Sequence, residues 1–330
     1  FEPEKGAIEF ASLDEVVSSL NGAGLNVLLT ITTSPAWARS NVDESGPPDN
    51  FSDYATFVGA VAARYTGQVQ AYQVWNEPNL RREWNSSVHQ ISGASYVQLL
   101  NAGYTAIKSA DANAVVISAG LSPTGFNDAV NAVSDRQFLR DMYASGLANV
   151  SDAVGAHPLG WANPPDAQCC AAPVGVETHY QDTSFFFRNT LQDYRQIMSA
   201  AGDGSTPIWV TKFGWGTSED TAAPPESLVY LTYTTLGEQA IYDPRGFELG
   251  AELGFVGPMF LHNLNGCQAS TGSAESCYYS LIGPDGSPRP VFQAVADLTA
   301  PSLPAEETPV PPTAESLPEA EATPEVTPGM

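Results

Sequence analysis

Two charged residues stand where two strand-like runs give out. Glu77 lies in Val74-Trp75-Asn76-Glu77-Pro78-Asn79, closing an apolar stretch that begins near Val69, and Lys212 lies in Pro207-Ile208-Trp209-Val210-Thr211-Lys212-Phe213-Gly214-Trp215. Val, Tyr and Trp favour a pleated strand, and Asn-Glu-Pro-Asn stops one, because proline has no N–H for a ladder and constrains the residue before it. The first run therefore ends by delivering one carboxylate, a group able to act as a general acid, base or nucleophile. His157 and the pair His262-Asn263 end two further runs, and Trp37, Trp161 and Trp215 sit at or just beyond strand ends. At such places imidazoles and indoles either contact a ligand or pack as core.

The elements that must position these groups alternate between two periods. Short β-branched runs are read as strands over 26–31, 69–75, 114–118, 153–157, 208–212 and 255–262. Between them the helical period takes over: Phe51, Tyr54, Phe57, Val58, Val61 and Tyr65 recur at i, i+3, i+4 and i+7, as do Tyr96, Leu99, Leu100, Tyr104 and Ile107. Alternation of this kind predicts an α/β fold of about six βα units around a parallel sheet. In a parallel barrel the C-terminal strand ends, where Glu77 and Lys212 fall, form the catalytic face.

Trp-Asn-Glu-Pro-Asn resembles the acid/base motif of the clan A glycoside hydrolases, the retaining β-glycosidases that include cellulases and β-xylosidases. Further residues share the resemblance in order to about residue 297: Glu2-Pro3-Glu4-Lys5-Gly6, Leu13-Asp14, Gly24-Leu25-Asn26-Val27-Leu28-Leu29 and Pro35-Ala36-Trp37-Ala38. The resemblance implies a TIM-type (β/α) barrel in which Glu77 is the general acid/base and Asn76 holds the sugar 2-hydroxyl. It also implies a β-linked oligo- or polysaccharide as substrate and no cofactor or metal. The tryptophans Trp37, Trp161 and Trp215 become candidate stacking surfaces, and His157, His262 and Asn263 candidate hydroxyl-binding groups. The first strand read here corresponds to the superfamily's third, so the barrel is expected to be incomplete, about six of eight units. Two unpaired edges would then invite self-association or need a covering segment.

The run ending in Lys212 resembles the seventh strand, where Thr-Glu-Phe-Gly-Trp carries the nucleophile; here Lys212 replaces that glutamate. Retaining hydrolysis uses two carboxyl groups about 5–5.5 Å apart. An ammonium can neither form the glycosyl ester nor stabilise an oxocarbenium-like transition state, so hydrolysis is expected to be impaired. Ala156-His157-Pro158-Leu159-Gly160-Trp161 resembles the sixth strand end, with Leu159 where relatives carry an aromatic hydroxyl. Opposite Glu77, Lys212 should form an ion pair and lower its pKa, the reverse of what a general acid needs. Glu83 and Glu219 are the nearby loop carboxylates; loop carboxylates of this kind are usually solvated. The alternatives to a disabled glycosidase are a non-catalytic glycan-binding barrel and an inactive fragment.

Composition bounds the rest. With 330 residues and 43% apolar content the chain can bury one large core, expected over 1–298. A net charge of −24, with only Lys5, Lys108 and Lys212 as lysines, argues against nucleic acid as a partner. No apolar run approaches the roughly 18 residues of a membrane helix. Cys169-Cys170 and Cys267 with Cys277 read either as loop bridges or as reduced thiols, and no Cys-x-x-Cys repeat supports zinc. A Cys267–Cys277 bridge, the preferred reading, implies an extracytoplasmic setting. The Pro/Glu/Thr/Ala-rich segment 299–330 is expected to be a disordered acidic tail or linker.

Overall fold

The structure is a computed structural model that describes residues 1–170, 181–268 and 274–299. Six strands follow one another: β1 (Leu28–Ile31), β2 (Ala71–Val74), β3 (Val115–Ser118), β4 (Val154–Ala156), β5 (Ile208–Phe213) and β6 (Val256–Leu261). All six sequence-predicted strands are present, most of them shorter than expected. Asn26 and Val27 fall outside β1 because the Val27 N–H is taken by the Gln70 side chain at 2.6 Å.

The strands pair in parallel in chain order, β1-β2-β3 and β4-β5-β6. The two sheets are joined by parallel bridges from Ile117 to Ala153 and from Leu121 to Ala156. The result is an arc of six strands with the βα order of a TIM-type barrel. Among the described residues β1 pairs only with β2 and β6 only with β5. Burial follows from that: β2 is buried along its whole length, whereas β1 and β6 are half-buried. A cavity of about 700 Å³ lies beside β1, between Leu13, Leu29, Trp37, Tyr54 and Phe57.

Helix α1 (Ala11–Gly22) precedes β1. Helices α2 (Phe51–Arg64), α3 (Gly93–Ala110), α4 (Asp135–Ala144), α5 (Phe187–Ala200) and α6 (Leu236–Leu253) each connect successive strands. Short α7 (Ala274–Tyr278) and α8 (Pro290–Thr299) follow β6. Most of the predicted stripes pack as written: Tyr54, Val58 and Val61 of α2 and Tyr96, Leu99, Leu100 and Ile107 of α3 are buried, while Phe51, Phe57 and Tyr104 are partly buried. Each such side chain contributes about 1.5–3 kcal/mol of burial free energy. Side-chain caps fix the helix starts, Asn50 to Ser52 N–H in α2, Ser92 to Ser95 N–H in α3 and a Thr235–Glu238 capping box in α6.

Cys267 and Cys277 are bridged, and Cys169 is bridged to its neighbour Cys170. No helix among the described residues is long and apolar enough to cross a membrane. Phe1–Leu298 form one unit and Thr299–Met330 a second. The tail is expected to begin at Thr299, which instead ends α8; the rest of that segment, 300–330, lies outside the described residues.

Candidate active site

Glu77 is held by the turn that leaves β2. The Trp75 N–H donates to Ile31 O at 2.9 Å and the Trp75 indole N–H to Glu83 O at 3.0 Å, closing the turn over its own ring. The Glu77 N–H donates to Gly120 O at 3.1 Å, and the Asn79 amide is clamped to Ser122 and Val133, so the turn is sewn to the chain after β3. The extended backbone expected before Pro78 is not what forms: Glu77 has φ +41° and Trp75 φ +73°. Left-handed backbone at such residues costs about 1–3 kcal/mol each and persists only where surrounding bonds impose it. The consequence is a carboxylate aimed inward, 2% exposed.

Three groups from three places meet it. The His157 Nδ1, at the end of β4, lies 3.0 Å from Glu77 Oε1 and donates to the ionised carboxylate. Lys212 Nζ of β5 is 3.9 Å from the same oxygen. Arg82 Nη2, five residues on in the turn, donates to Oε2 at 2.7 Å. Burial pushes the Glu77 carboxyl up, but the His157 hydrogen bond and the charges of Lys212 and Arg82 outweigh it and hold the carboxyl far below the usual range. Burial and the Lys212 and Arg82 charges keep His157 neutral, lowering its pKa against the pull of Glu77. The His157 ring also lies against Gly120, where a Cβ would collide with its Cδ2 and Nε2.

His262, at the end of β6, is in the same neighbourhood. Burial, then the Lys212 charge, lower its pKa to about 4, with Glu77 opposing. Its ring is 5.7 Å from that of Tyr279, whose hydroxyl is 3.0 Å from the Tyr230 hydroxyl. The half-buried Trp161 stands edge to face with Tyr230 at 4.5 Å and with Phe185 at 5.1 Å. Trp161 thus packs on a buried pair, Tyr230 and Tyr279, that runs to the charged cluster.

Asn76 is half-buried beside Glu77, and its side chain hydrogen-bonds the Glu83 carboxylate. Glu83 departs from the solvated loop residue expected. Burial and the Glu77 charge raise its pKa, with Arg82, Lys212 and the Asn76 bond acting the other way. Glu219 is exposed and accepts from the Leu236 N–H at 2.6 Å at the start of α6, so it caps that helix.

Three candidates do other work. Trp215 is fully buried: its indole N–H donates to Asn163 O at 2.6 Å, its ring lies on Gly160, and Asp243 and Gln239 of α6 hold its backbone. It is core and cannot stack on a ligand. Asn263 spends its amide on Ser276 O and the Gly266 N–H, closing the loop that the Cys267–Cys277 bridge spans. Trp37 donates to Glu2 O at 2.8 Å and lines the cavity beside β1, whose walls include none of Glu77, His157 or Lys212.

Sequence reasoning missed Arg82, Tyr230 and Tyr279. The signal for Arg82 was the Arg81-Arg82 pair just after the Glu77 turn, in a chain with only 13 basic side chains. The two tyrosines had no local signal, since Tyr230 lies in a 3-10 helix over Glu226–Thr232 and Tyr279 just after α7, and only the fold brings them together.

The fold is that of known glycoside hydrolases. A family 39 glycoside hydrolase from Bacteroides cellulosilyticus WH2 superposes with a TM-score of 0.66 at 19% identity, over 90% of this chain and 55% of that one. A monomeric β-xylosidase from Caulobacter crescentus CB15 gives 0.60 at 16% identity, over 88% and 56%. A xylanase 10B from Thermotoga petrophila RKU-1, solved with xylobiose, gives 0.53 at 13% identity, over 90% and 80%. The chain thus spans little more than half the length of the first two. No protein-family model and no curated protein matches the sequence.

Proposed function

We propose that this chain is a glycoside hydrolase-type barrel whose cleft binds β-linked glycan and whose retaining hydrolysis is impaired. One observation carries the reading: the ammonium of Lys212, 3.9 Å from Glu77 Oε1, stands where a two-carboxylate mechanism needs its second carboxylate. Glu77, pinned as an anion by His157, Arg82 and Lys212, holds no proton to give a leaving oxygen near neutral pH. What remains for a sugar is the half-buried ring of Trp161, with the half-buried Asn76 and His262. The similar proteins, described as xylosidase and xylanase, support a xylan-like or related β-glycan.

The test is turnover of 4-nitrophenyl β-xyloside and β-glucoside by the chain, its Lys212→Glu variant and the Glu77→Gln form of each. The unmodified chain should stay near background, and Lys212→Glu should gain turnover that Glu77→Gln removes. Robust turnover by the unmodified chain, abolished by Glu77→Gln, would overturn the reading. A second reading has its own support: Glu83, whose pKa is raised by burial and by Glu77, could supply the proton that Glu77 cannot. In that case Glu83→Gln would remove activity toward poor leaving groups and spare activated ones.

We read 1–298 as the glycan-binding domain and 299–330 as an acidic tether. Two cysteine bridges support an extracytoplasmic location. The half-buried edge strands β1 and β6 support self-association or a covering segment at that flank.

A further inference from the structure

Helix α6 turns two polar side chains from successive turns onto one residue. Gln239 Nε2 donates to Trp215 O at 2.8 Å, and Asp243 Oδ1 accepts from the Trp215 N–H at 3.0 Å. The helix comes this close because Gly246 leaves room: a Cβ there would meet the Phe213 and Trp215 rings at 2.9 and 3.1 Å. Gln239, Asp243 and Trp215 are all fully buried. Each clamping side chain keeps one oxygen, Gln239 Oε1 and Asp243 Oδ2, with no hydrogen-bond partner among the described residues. Residues four apart on a helix are neighbours, so both leftover oxygens belong to one face of α6.

Among the described residues no cation pairs with Asp243. On its own helix Glu238 closes the capping box with Thr235, Arg245 bonds to Asp166, Glu248 and Glu252, and the half-buried Tyr242 stands 6.0 Å from the Trp215 ring. Lys212 of β5 lies by Glu77, and α5 presents the Phe187 ring to Trp215 at 5.5 Å. The chain after α7 brings Tyr279, on which the Asp243 charge acts, with its partner Tyr230 and the neutral His262. A buried carboxylate with one hydrogen bond and no cation is costly, and its second oxygen would oppose Gln239 Oε1 as one acceptor against another. A proton on Oδ2 turns that oxygen into a donor. Burial accordingly pushes the Asp243 carboxyl well up.

Trp215 carries the clamp to the loop between β4 and α5. Its ring fills the space that a side chain at Gly160 would need, and its indole N–H donates to Asn163 O at 2.6 Å. The Asn163 side chain in turn donates to Phe185 O at 2.8 Å. Trp161 stands between Gly160 and Asn163, edge to face with Phe185 at 5.1 Å. Resting on the reading that the Trp161 ring meets the sugar, we propose that Asp243, as a neutral acid donating toward Gln239 Oε1, is a positioning residue that sets Trp161 for the glycan through Trp215. It touches no ligand itself.

The test compares the full chain with its Asp243→Asn, Asp243→Ala and Gln239→Ala variants. Asparagine reproduces the neutral acid, accepting from Trp215 and donating toward Gln239. A carboxyl that is protonated in the fold but ionised in the unfolded chain above about pH 3.9 costs stability as pH rises. In urea unfolding the folding constant of the parent, relative to Asp243→Asn, should therefore fall about tenfold per pH unit from about pH 5 upward, until the folded protein releases that proton. A ratio that does not change with pH would show Asp243 ionised in the fold and overturn the neutral acid. Calorimetric titration with xylohexaose at pH 6 should give parent and Asp243→Asn equal affinity and Asp243→Ala about three- to tenfold weaker binding, the scale of one misplaced aromatic contact. The Trp161 indole N–H resonance, assigned with Trp161→Phe, should keep its place in Asp243→Asn and move in Asp243→Ala. Gln239→Ala removes the other half of the clamp, should behave as Asp243→Ala does, and replaces it if that variant does not fold. Alanine variants that leave the resonance unmoved would overturn the positioning. No binding by any form, parent included, would overturn the glycan-binding reading instead, and the resonance would then decide the positioning by itself.

Discussion

Lys212→Met removes the ammonium and keeps the length of the side chain, so it isolates the charge acting on Glu77. At the 3.9 Å separation, Coulomb's law gives about 1 kcal/mol at the dielectric of water and about 4 kcal/mol at an effective value of 20. With its side chain 29% exposed, Lys212 lies between these limits, and the relieved desolvation of the amine returns part of the loss. A net destabilisation of about 1–3 kcal/mol near pH 7 is expected. His157 and Arg82 still hold Glu77, so it should remain ionised there. Carboxyl-selective NMR should show the Glu77 titration midpoint move up. The sign fixes the pH window: a carboxyl whose folded pKa is depressed contributes stability above the unfolded value near 4.3 and loses it as pH falls through the folded value. The difference between the two proteins should therefore persist from pH 5 to 8 and fade only in stronger acid. An unmoved midpoint, or a variant as stable as the parent at pH 7, would mean that Lys212 points into solvent and the ion pair does not exist.

Three other outcomes follow from the same contacts. Gly120→Ala should drive a Cβ into the His157 ring, costing about 2–5 kcal/mol in urea unfolding from overpacking plus the lost Glu77 bond; in a His157→Ala background, which already lacks that bond, the same change should cost much less, and strict additivity would refute the contact. His262, held neutral with a pKa near 4 against an ordinary 6.5, should contribute roughly 3 kcal/mol above pH 6.5 that is lost between pH 6.5 and 4; His262→Phe should flatten that slope. Trp161→Ala should weaken glycan binding with little change in melting temperature, and Trp215→Ala should cost about 3–5 kcal/mol of stability, as calorimetry of each variant would show.

The strands were legible because each is a short apolar or β-branched run bounded by residues that cannot continue a ladder, such as Pro78 after Val74 and Gly214 after Phe213. That Lys212 would stand opposite Glu77 was implied by the resemblance, and it agrees with parallel strands bringing their C-terminal ends to one face; His157 was read as a hydroxyl-binding group, and its bond to Glu77 came from the structure. What depended on loop paths was not legible. Arg82 reaches back to Glu77 only because the turn contains left-handed backbone at Trp75 and Glu77, which the following proline gave no reason to expect. Trp215 looked like a stacking ring because it stands two residues past β5. The chain instead folds it beneath Gly160 and bonds it to Asn163, a contact 52 residues away. Asn263 failed for a related reason, as the bridged loop from Cys267 to Cys277 consumes its amide.

The arrangement around Glu77 also explains why Lys212 fits the fold even as it opposes the chemistry. A carboxylate 2% exposed is costly to ionise unless opposite charge and hydrogen bonds surround it. A glutamate at position 212 would set a second carboxyl against the first, and one of the two would have to take up a proton or lose its mate's support. Lysine at that position removes the conflict and adds an attractive contact. Lys212→Glu should therefore be less stable than the parent near pH 7, where both carboxyls would be charged, and should recover part of the difference as pH falls and the shared site takes a proton. Gain of hydrolysis without loss of stability in that variant would contradict this account, because the two effects arise from the same pair of oxygens.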